Sequence, residues 1–456
     1  MGQEGNTTGE TGRILAGGGL DGQTVVWSSL GRNREETMFT RIQARNFRCL
    51  RYVDREVGRF QALVGPNASG KTTFLDVAGF LGDLIRNRGD VAETVLSRSK
   101  TFEQLTWMGR ERAFQLAVEA EIPAGVAASL ADDKREFTHV RYEVEVGFEE
   151  TSNEIGINHE NFWLVSPEPP AVVLQRELFP DPGTISPALV LQAGRNRRMA
   201  LTKTPGGNAN YYTEGKSGYR PSFKLGRDRS ALAHTPADVE SFPISSWFRD
   251  RLEQGVQALV LNSQLMRQPS PPGLGRRFQA DGSNLPWVIA DLRRSEERFR
   301  GWLSHVRTAF EDIRDIDTVE RPEDRHRYLI VEYNNGVRVP SWLVSDGTLR
   351  LLVLTIPAYV DGLTGTYLIE EPENGVHPRA IETVVQSLRS VYEGQILLAT
   401  HSPVALNMLS LDEILCFAKN DAGATDVIRG DQHPALRNWK KGEPDLGTLF
   451  ASGVLS

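Results

Sequence analysis

Residues 65–73 read Gly-Pro-Asn-Ala-Ser-Gly-Lys-Thr-Thr and match the phosphate-binding pattern G-x-x-x-x-G-K-[ST]. The stretch follows an apolar segment at residues 60–64 and precedes a segment whose apolar residues recur at helical spacing. This strand–loop–helix order is the context that the motif requires, because backbone amides and a helix N-terminus together bind phosphate. A glycine-rich turn that matches by accident is the alternative, and the two correct flanks argue against it. The stretch therefore predicts a site for a nucleoside triphosphate.

The polar residues of this phosphate-binding loop (residues 65–73) have separate expected roles. Lys71 is expected to reach the β- and γ-phosphates, and the Thr72 hydroxyl is expected to hold Mg²⁺. The loop residues expected to contact the nucleotide are Gly65, Asn67, Ser69, Gly70, Lys71, Thr72 and Thr73. The predicted cofactors are therefore ATP and Mg²⁺.

Composition bounds the class of protein. The 456 residues suffice for two or three average domains, or for one large α/β domain with an insertion. Apolar residues make up 39% and charged residues 24%, which is ordinary for a soluble protein with a packed core. The two cysteines, Cys49 and Cys416, exclude a disulfide framework and favour the reducing cytoplasm. The longest apolar run, near 349–360, is too short to span a bilayer, so we expect no membrane partner.

The pattern of apolar residues predicts four regions. Residues 1–37 lack periodicity and are predicted to be a disordered tail. We predict an N-terminal lobe at 38–149, an insertion or lid at 150–325 and a C-terminal lobe at 326–456. The individual signals are an antiparallel pair at 114–122 and 140–148, a helix at 288–312, a hairpin around Asn335-Gly336 and buried strands at 366–369 and 395–400. They predict an α/β fold with a mainly parallel core sheet, an antiparallel β subdomain and a mixed α/β insertion.

Paired carboxylates end the first of those buried strands, in the sequence Leu-Ile-Glu-Glu-Pro-Glu-Asn-Gly at 368–375. One carboxylate at a strand tip beside a phosphate-binding loop organises Mg²⁺, and its neighbour can orient or deprotonate the attacking water. We assign Glu370 to the metal and Glu371 to the general base. A solvated acidic turn is the alternative interpretation.

Two further segments surround the predicted site. His401 follows the second buried strand in the sequence Thr-His-Ser-Pro and is expected to contact the γ-phosphate or the attacking water, although a lone histidine at a strand end is more often structural. Ser345 and Gly347 open an apolar helix in the sequence Ser-Asp-Gly-Thr. This is an ordinary helix cap, and the same geometry can also bind a γ-phosphate.

Taken in order, the phosphate-binding loop, long insertion, S-D-G-T segment, E-E-P-E-N-G-x-H-P segment and T-H-S-P segment resemble the ABC-type ATPases of the SMC/RecF/OLD-like branch. The resemblance covers roughly residues 39–125 and 325–420 and implies the ABC-head type of P-loop fold. It also implies a homo-oligomer, a dimer or larger, in which Lys71 and Thr72 of one chain hold ATP while Ser345 and Gly347 of another cap its γ-phosphate. Asn374 and His377 would then lie in the loop that crosses between the chains.

The sequence departs from this family at two points. Glu370 stands where most members have Asp, which the OLD-like branch tolerates. The glutamine that couples the lobes is not evident, and Gln104 is only a weak candidate because a plain loop residue is the commoner case. Phe47 and Arg48 are candidates for the residues that members place against the nucleotide base.

The resemblance also suggests a biological role. Stand-alone heads of this kind look like ATPase subunits of bacterial antiphage systems such as Gabija, Septu, PARIS and the methylation-associated defence systems. Because only about fifty residues follow His401, we expect a separate effector or nuclease chain. The implied function is a sensor or switch subunit, and the alternatives are a non-catalytic ATP-stabilised scaffold that cages an effector and a RecF-like repair ATPase.

Residues 195–229 contain nine basic residues, four interleaved aromatic residues and only two acidic residues. Such a surface can follow a phosphate backbone and stack on bases, so DNA is a possible partner. An insertion with ordinary surface charge explains the same composition. The sequence leaves both interpretations open.

Overall fold

The structure of the chain is a computed structural model that describes residues 39–148, 154–166, 176–181, 187–192, 194–216, 218–275, 277–436 and 445–455. The tail predicted at residues 1–37 lies outside these ranges. The described residues all fall within one unit, Glu36–Ser456. The lobe boundaries stated above stay predictions.

The strands and helices of the described residues are named in chain order. The strands are β1 (Arg41–Phe47), β2 (Leu50–Glu56), β3 (Phe60–Val64), β4 (Ala113–Glu121), β5 (His139–Phe148), β6 (Ile155–Val165), β7 (Arg197–Lys203), β8 (Asn208–Tyr211), β9 (Ser222–Lys224), β10 (Val256–Leu259), β11 (Ile313–Glu320), β12 (Arg327–Tyr333), β13 (Arg338–Pro340), β14 (Gly365–Glu370), β15 (Gly394–Ala399), β16 (Ile414–Lys419) and β17 (Thr425–Arg429). The helices are α1 (Lys71–Arg86), α2 (Val91–Leu96), α3 (Ala124–Ala127), α4 (Pro243–Gly255), α5 (Ser263–Arg267), α6 (Leu285–Leu292), α7 (Glu296–Ala309), α8 (Asp346–Thr355), α9 (Pro378–Arg389), α10 (Pro403–Leu406) and α11 (Leu446–Ala451).

A mainly parallel sheet carries the phosphate-binding loop. In the described residues its strand order is β10-β14-β15-β3-β16-β17, and only β17 runs antiparallel to its neighbour. Strands β3 and β15 are buried along their whole length, as expected for continuous apolar runs covered on both faces. Because β14, β15 and β3 are parallel neighbours, their carboxyl ends and the loops that follow lie at one edge. The predicted parallel core is confirmed.

An antiparallel sheet forms the second layer, with the order β2-β1-β4-β5-β6-β7-β8-β9 among the described strands. The predicted pair is confirmed, since β4 pairs with β5 from Ala113 opposite Gly147 to Glu121 opposite His139. Strands β6 to β9 come from the predicted insertion and extend this same sheet. The first part of the insertion therefore enlarges the antiparallel subdomain.

Helix α1 lies between the two sheets. Its buried face, which includes Phe74, Leu81 and Leu84, joins residues of both sheets in one apolar cluster. The opposite face of the parallel sheet packs in a second cluster with residues of α8 and α9. Burial on both sides of α1 fixes the position of its N-terminus, where the phosphate-binding loop ends.

The prediction of one long helix at 288–312 is wrong in one respect, because the structure has two helices there, α6 and α7. Ser295 between them has an extended backbone, and Glu296 and Glu297 begin a new helix at the terminus that favours acidic residues. Arg293 follows the last residue of α6, and its guanidinium group donates to the Ile316 carbonyl on β11 at 2.8 and 3.0 Å. The hairpin predicted around Asn335-Gly336 is confirmed by the pairing of β12 with β13.

Among the described helices, none is both long and apolar enough to cross a membrane.

Candidate active site

The phosphate-binding loop has a backbone that only certain residues permit. Gly70 adopts φ +109°, and a Cβ there would lie 2.5 Å from Thr425 Oγ1. Ala68 also has a positive φ of 60°. Because Gly70 is the N-cap of α1 and offers no side chain, the first amides of the helix have no side-chain acceptor. A helix start of this kind binds anions.

Lys71 is almost fully buried in this loop. Its ammonium group donates to the carbonyls of Gly65 at 2.9 Å and Pro66 at 2.8 Å. Burial lowers the pKa of Lys71 to about 8, and the carboxylates of Glu371 and Glu370 oppose that shift. Two neutral carbonyl acceptors thus hold the cation at the loop, and a bound phosphate would replace them with negatively charged acceptors.

The structure brings Thr72 and Glu370 into contact. The Thr72 hydroxyl donates to Glu370 Oε2 at 2.6 Å, across 298 residues of sequence. One hydroxyl and one carboxylate fit the coordination of Mg²⁺, which keeps several waters and takes further oxygens from a nucleotide. Among the described residues, no group of three or more His, Cys, Asp or Glu side chains could hold a metal ion.

Glu371 lies directly after β14 in a left-handed conformation, with φ 45°. Its amide donates to the Ala399 carbonyl at 2.8 Å, so its backbone is tied to the end of β15. The Asn374 side-chain amide donates to the Glu371 carboxylate. Non-glycine residues with positive φ are costly and concentrate at sites where geometry matters.

His401 faces Glu371, with 4.0 Å between Nε2 and the nearer carboxylate oxygen. Burial lowers the pKa of His401 below its ordinary value, and the nearby Lys71 cation adds to that effect. The imidazole is therefore neutral near pH 7. The structure thus brings Lys71, Thr72, Glu370, Glu371 and His401 to one edge of the sheet, and their chemical roles stay predictions.

Ser345 and Gly347 begin α8, beside the loop that follows β14. Ser345 is exposed and caps α8, accepting from the Thr348 amide at 3.2 Å and bonding the Thr348 hydroxyl at 2.7 Å. A Cβ on Gly347 would meet the Gly375 carbonyl at 2.8 Å, so α8 starts against the loop after β14. The hydrogen bonds of Ser345 stay within the first turn of α8.

A cleft of about 1160 Å³ opens beside Thr72, Glu370 and Glu371, and its lining includes Arg48 but neither Ser345 nor Gly347. Arg48 is 3.3 Å from Asp76 on α1. The structure corrects the interpretation of Phe47, which is fully buried against Phe80 and Phe114 and so has no surface for a nucleotide base. Between the two candidates for base contact, Arg48 alone remains.

Gln104 bonds the Ser99 hydroxyl and does not line this cleft. The end of β10 lies there instead, because Leu259 pairs with Ile369 on β14. Val260 and Leu261, which follow β10, line the cleft. The run at 256–261, in which all but Gln257 are apolar, was the available sequence signal for this edge strand.

Two further residues support the site without a sequence signal. The Thr425 hydroxyl on β17 donates to the Ser69 carbonyl at 2.8 Å. Glu373 accepts from the Thr400 hydroxyl at 2.9 Å and from the His401 amide at 2.7 Å. Both contacts join residues that are distant in sequence, so no local pattern predicts them.

The basic segment at 195–229 is divided by the fold. Lys203 and Tyr211 are buried, and Arg229 lies 3.2 Å from Asp90 and from Asp228. Glu214 is buried and accepts from the Ile244 and Ser245 amides at the start of α4. Among the described basic and aromatic residues of the segment, those that stay exposed are Arg195, Arg198, Lys216, Tyr219, Arg220, Phe223 and Lys224, and the acidic Asp228 is exposed with them.

The lowered pKa of Lys71 gives a testable pH dependence. With a pKa of about 8, Lys71 is increasingly neutral above that pH. Bound phosphates favour the charged form of Lys71 and raise its pKa again. At pH 8.5–9 the protein is therefore expected to gain about one proton at most when ATP binds. Calorimetric titration in two buffers of different ionisation enthalpy measures this uptake. The control is Lys71→Arg, which stays charged throughout. Equal enthalpies in both buffers for the wild type would contradict the assignment.

Parts of the chain are similar to known proteins. A family model described as "AAA domain, putative AbiEii toxin, Type IV TA system" matches residues 201–407. A stretch of 48 residues is 48% identical to the OLD nuclease of Thermus scotoductus (strain ATCC 700910 / SA-01), covering 10% of this chain and 9% of that protein.

Solved structures of SMC heads also align with the chain at 12% identity over 86% of its length. One is the Smc head bound to the C-winged helix domain of ScpA, with 97% of that chain covered and a TM-score of 0.49. Another is the Smc head domain with an extended coiled coil bound to the C-terminal domain of ScpA derived from Pyrococcus furiosus, with 96% of that chain covered and a TM-score of 0.42.

The motif order, the convergence of those motifs at one edge of a parallel sheet and the AAA-domain match agree with one another. The chain therefore resembles the ABC-type P-loop ATPases of the SMC/OLD-like kind.

Proposed function

We propose that this chain binds and hydrolyses ATP with Mg²⁺, that two copies close around the nucleotide, and that the cycle serves as the switch of a bacterial antiphage defence complex in the cytoplasm. A separate chain would carry the effector or nuclease activity. The observation that carries the proposal is the meeting of Thr72, Glu370, Glu371 and His401 beside Lys71.

Binding begins at the phosphate-binding loop. Lys71 would exchange its two carbonyl acceptors for phosphate oxygens, and the uncapped amides of α1 would face the same group. Thr72 and Glu370 would hold Mg²⁺, which lowers the charge on the phosphates when bound. Arg48 lines the adjoining cleft and is available to the nucleotide base.

Glu371 is the proposed general base. Its carboxylate accepts from the Asn374 side-chain amide and lies 4.0 Å from His401 Nε2, so its orientation is set in part before a substrate arrives. A neutral His401 can accept or donate one hydrogen bond to the attacking water or to the γ-phosphate.

A second copy is proposed because Ser345 and Gly347 do not line the cleft beside Thr72 in their own chain. The N-terminus of α8 nevertheless has the properties of a phosphate contact, since Ser345 is exposed and its hydroxyl is already turned toward the helix amides. Supplied by a second copy, this terminus would cap the γ-phosphate. Closure of the dimer would then depend on bound ATP.

The defence role rests on resemblance. The motif order resembles the ATPase subunits of antiphage systems, and the family model that matches residues 201–407 carries the words "Type IV TA system" in its description. A two-component arrangement of this kind agrees with a separate effector chain.

Hydrolysis is tested with Glu371→Gln beside the wild type. The change keeps the shape of the side chain and removes its basicity, so we expect kcat to fall by about 100-fold or more while ATP still binds. Lys71→Ala should instead lose binding, by about 10-fold or more in Kd, because a charge-assisted contact is removed. Steady-state phosphate release and nucleotide-binding titrations measure the two effects.

The same pair of variants separates a switch from a scaffold in cells that carry the whole system. A hydrolysis-driven switch requires that both variants lose protection against phage. Protection by Glu371→Gln but not by Lys71→Ala would favour an ATP-stabilised scaffold. Full turnover in Glu371→Gln would remove Glu371 from the role of base.

The shared site is tested by mixing two inactive variants. Ser345→Asp keeps a good helix cap but places a negative charge against the γ-phosphate, whereas Lys71→Ala disables the other half of the site. In a mixed dimer one site regains both intact halves, so equal amounts should recover up to about a quarter of wild-type turnover. Each variant alone is the control, and a mixture with no more activity than its components would contradict the two-chain site.

DNA is a proposed partner of the exposed edge strand β9 and its flanks. Arg220 and Lys224 are both exposed there. Reversing both charges, Arg220→Glu with Lys224→Glu, should weaken duplex binding and flatten the slope of log K against log salt by about 2. Arg294→Glu, a reversal at an exposed cation elsewhere, is the control. Unchanged affinity in the double variant would assign these charges to ordinary surface.

A further inference from the structure

Glu373 is the third carboxylate of the loop that follows β14, and the proposed reaction gives it no task. It bridges to the loop that follows β15, accepting at Oε1 from the Thr400 hydroxyl at 2.9 Å and from the His401 amide at 2.7 Å. Its other oxygen, Oε2, is buried and has no hydrogen-bond partner among the residues that the structure describes. A buried carboxylate oxygen left unpaired costs free energy, so the arrangement needs a compensating reason.

The bridge fixes a tight turn. The Thr400 hydroxyl donates to Glu373 and at the same time accepts from the Ser402 amide at 3.0 Å. Ser402 in turn caps α10. The two bonds to Glu373 and the bond from the Ser402 amide to the Thr400 hydroxyl therefore hold the backbone of residues 400–402, including His401, in one conformation.

The bridge also sets the distance between two side chains of the active site. Glu371 is already tied to β15 through its amide and the Ala399 carbonyl, at 2.8 Å. Glu373 adds a second tie two residues further along each loop. The 4.0 Å between His401 Nε2 and the Glu371 carboxylate depends on both ties, because each fixes the backbone from which one of the side chains extends.

We propose that Glu373 is a positioning residue, which holds His401 opposite Glu371 through the His401 amide and the Thr400 hydroxyl. This inference rests on the proposed function for its kinetic consequence. Its structural part, the placement of the His401 ring, does not depend on hydrolysis.

The kinetic test compares Glu373→Ala, Glu373→Gln and Glu382→Ala. Glutamine keeps an acceptor oxygen at the position of Oε1, whereas alanine removes it. Glu382 is an exposed glutamate on α9, so Glu382→Ala controls for the loss of one negative charge. We expect Glu373→Ala to lower kcat by about 10- to 100-fold with the ATP Kd changed less than about twofold, because a displaced group impairs the chemical step more than binding. Glu373→Gln should restore most of the rate. Equal loss in the Ala and Gln variants would show that charge, not the acceptor, matters and would overturn the proposal.

A double variant tests whether Glu373 acts through His401. If it does, Glu373→Ala should have little further effect on kcat in a His401→Ala background. If the fold-loss in kcat of the double variant equals the product of the two single losses, Glu373 acts independently of the imidazole, which contradicts the proposal.

A spectroscopic test separates this inference from the proposed function. The imidazole resonances of the 8 histidines can be recorded with labelled histidine, and His401→Ala identifies the His401 signal. The proposal predicts that this signal shifts or broadens in Glu373→Ala and stays in place in Glu373→Gln and Glu382→Ala. An unmoved signal in Glu373→Ala would overturn the positioning role. If the wild type binds ATP without hydrolysing it and the His401 signal still shifts in Glu373→Ala, the proposed hydrolysis alone would be rejected.

Discussion

The parallel pairing of β14, β15 and β3 is the constraint on which the candidate site depends. Parallel neighbours end at the same edge, so the phosphate-binding loop, the acidic loop and the histidine-bearing loop meet there although they are hundreds of residues apart. The register is enforced by burial, because β3 and β15 are covered on both faces and a shift by one residue would exchange the two apolar clusters. The 2.6 Å contact between Thr72 and Glu370 is the local result of this register.

The charged groups at this edge of the sheet influence one another's pKa values. One buried cation, Lys71, lies among carboxylates that favour its charged form, while burial opposes it and lowers its pKa to about 8. The same cation and burial keep the pKa of His401 below its ordinary value. A polyphosphate entering this region meets a cation that its own charge would stabilise, and a neutral imidazole beside a carboxylate. The proposed nucleotide recognition and proton transfer would therefore use the same few groups.

The sequence predicted the parts of the site that lie within single motifs. The loop at 65–73, the carboxylates after β14 and His401 after β15 were all inferred from local patterns, and parallel topology then implied that they meet. The patterns could not distinguish Phe47, whose ring is buried with Phe80 and Phe114, from a residue facing the cleft. Thr425 and Glu373 were missed for a different reason. Their contacts with Ser69, Thr400 and His401 span distant segments, and a single threonine or glutamate gives no periodic signal.

The most direct test of the central claim is the crystal structure of Glu371→Gln with Mg²⁺ and ATP. Our account predicts the β-phosphate within the phosphate-binding loop against Lys71, Mg²⁺ beside Thr72 and Glu370, and the γ-phosphate capped by Ser345 and Gly347 of a second copy. A nucleotide bound anywhere else, or one held at this edge by a single chain with α8 of the other copy remote, would contradict it.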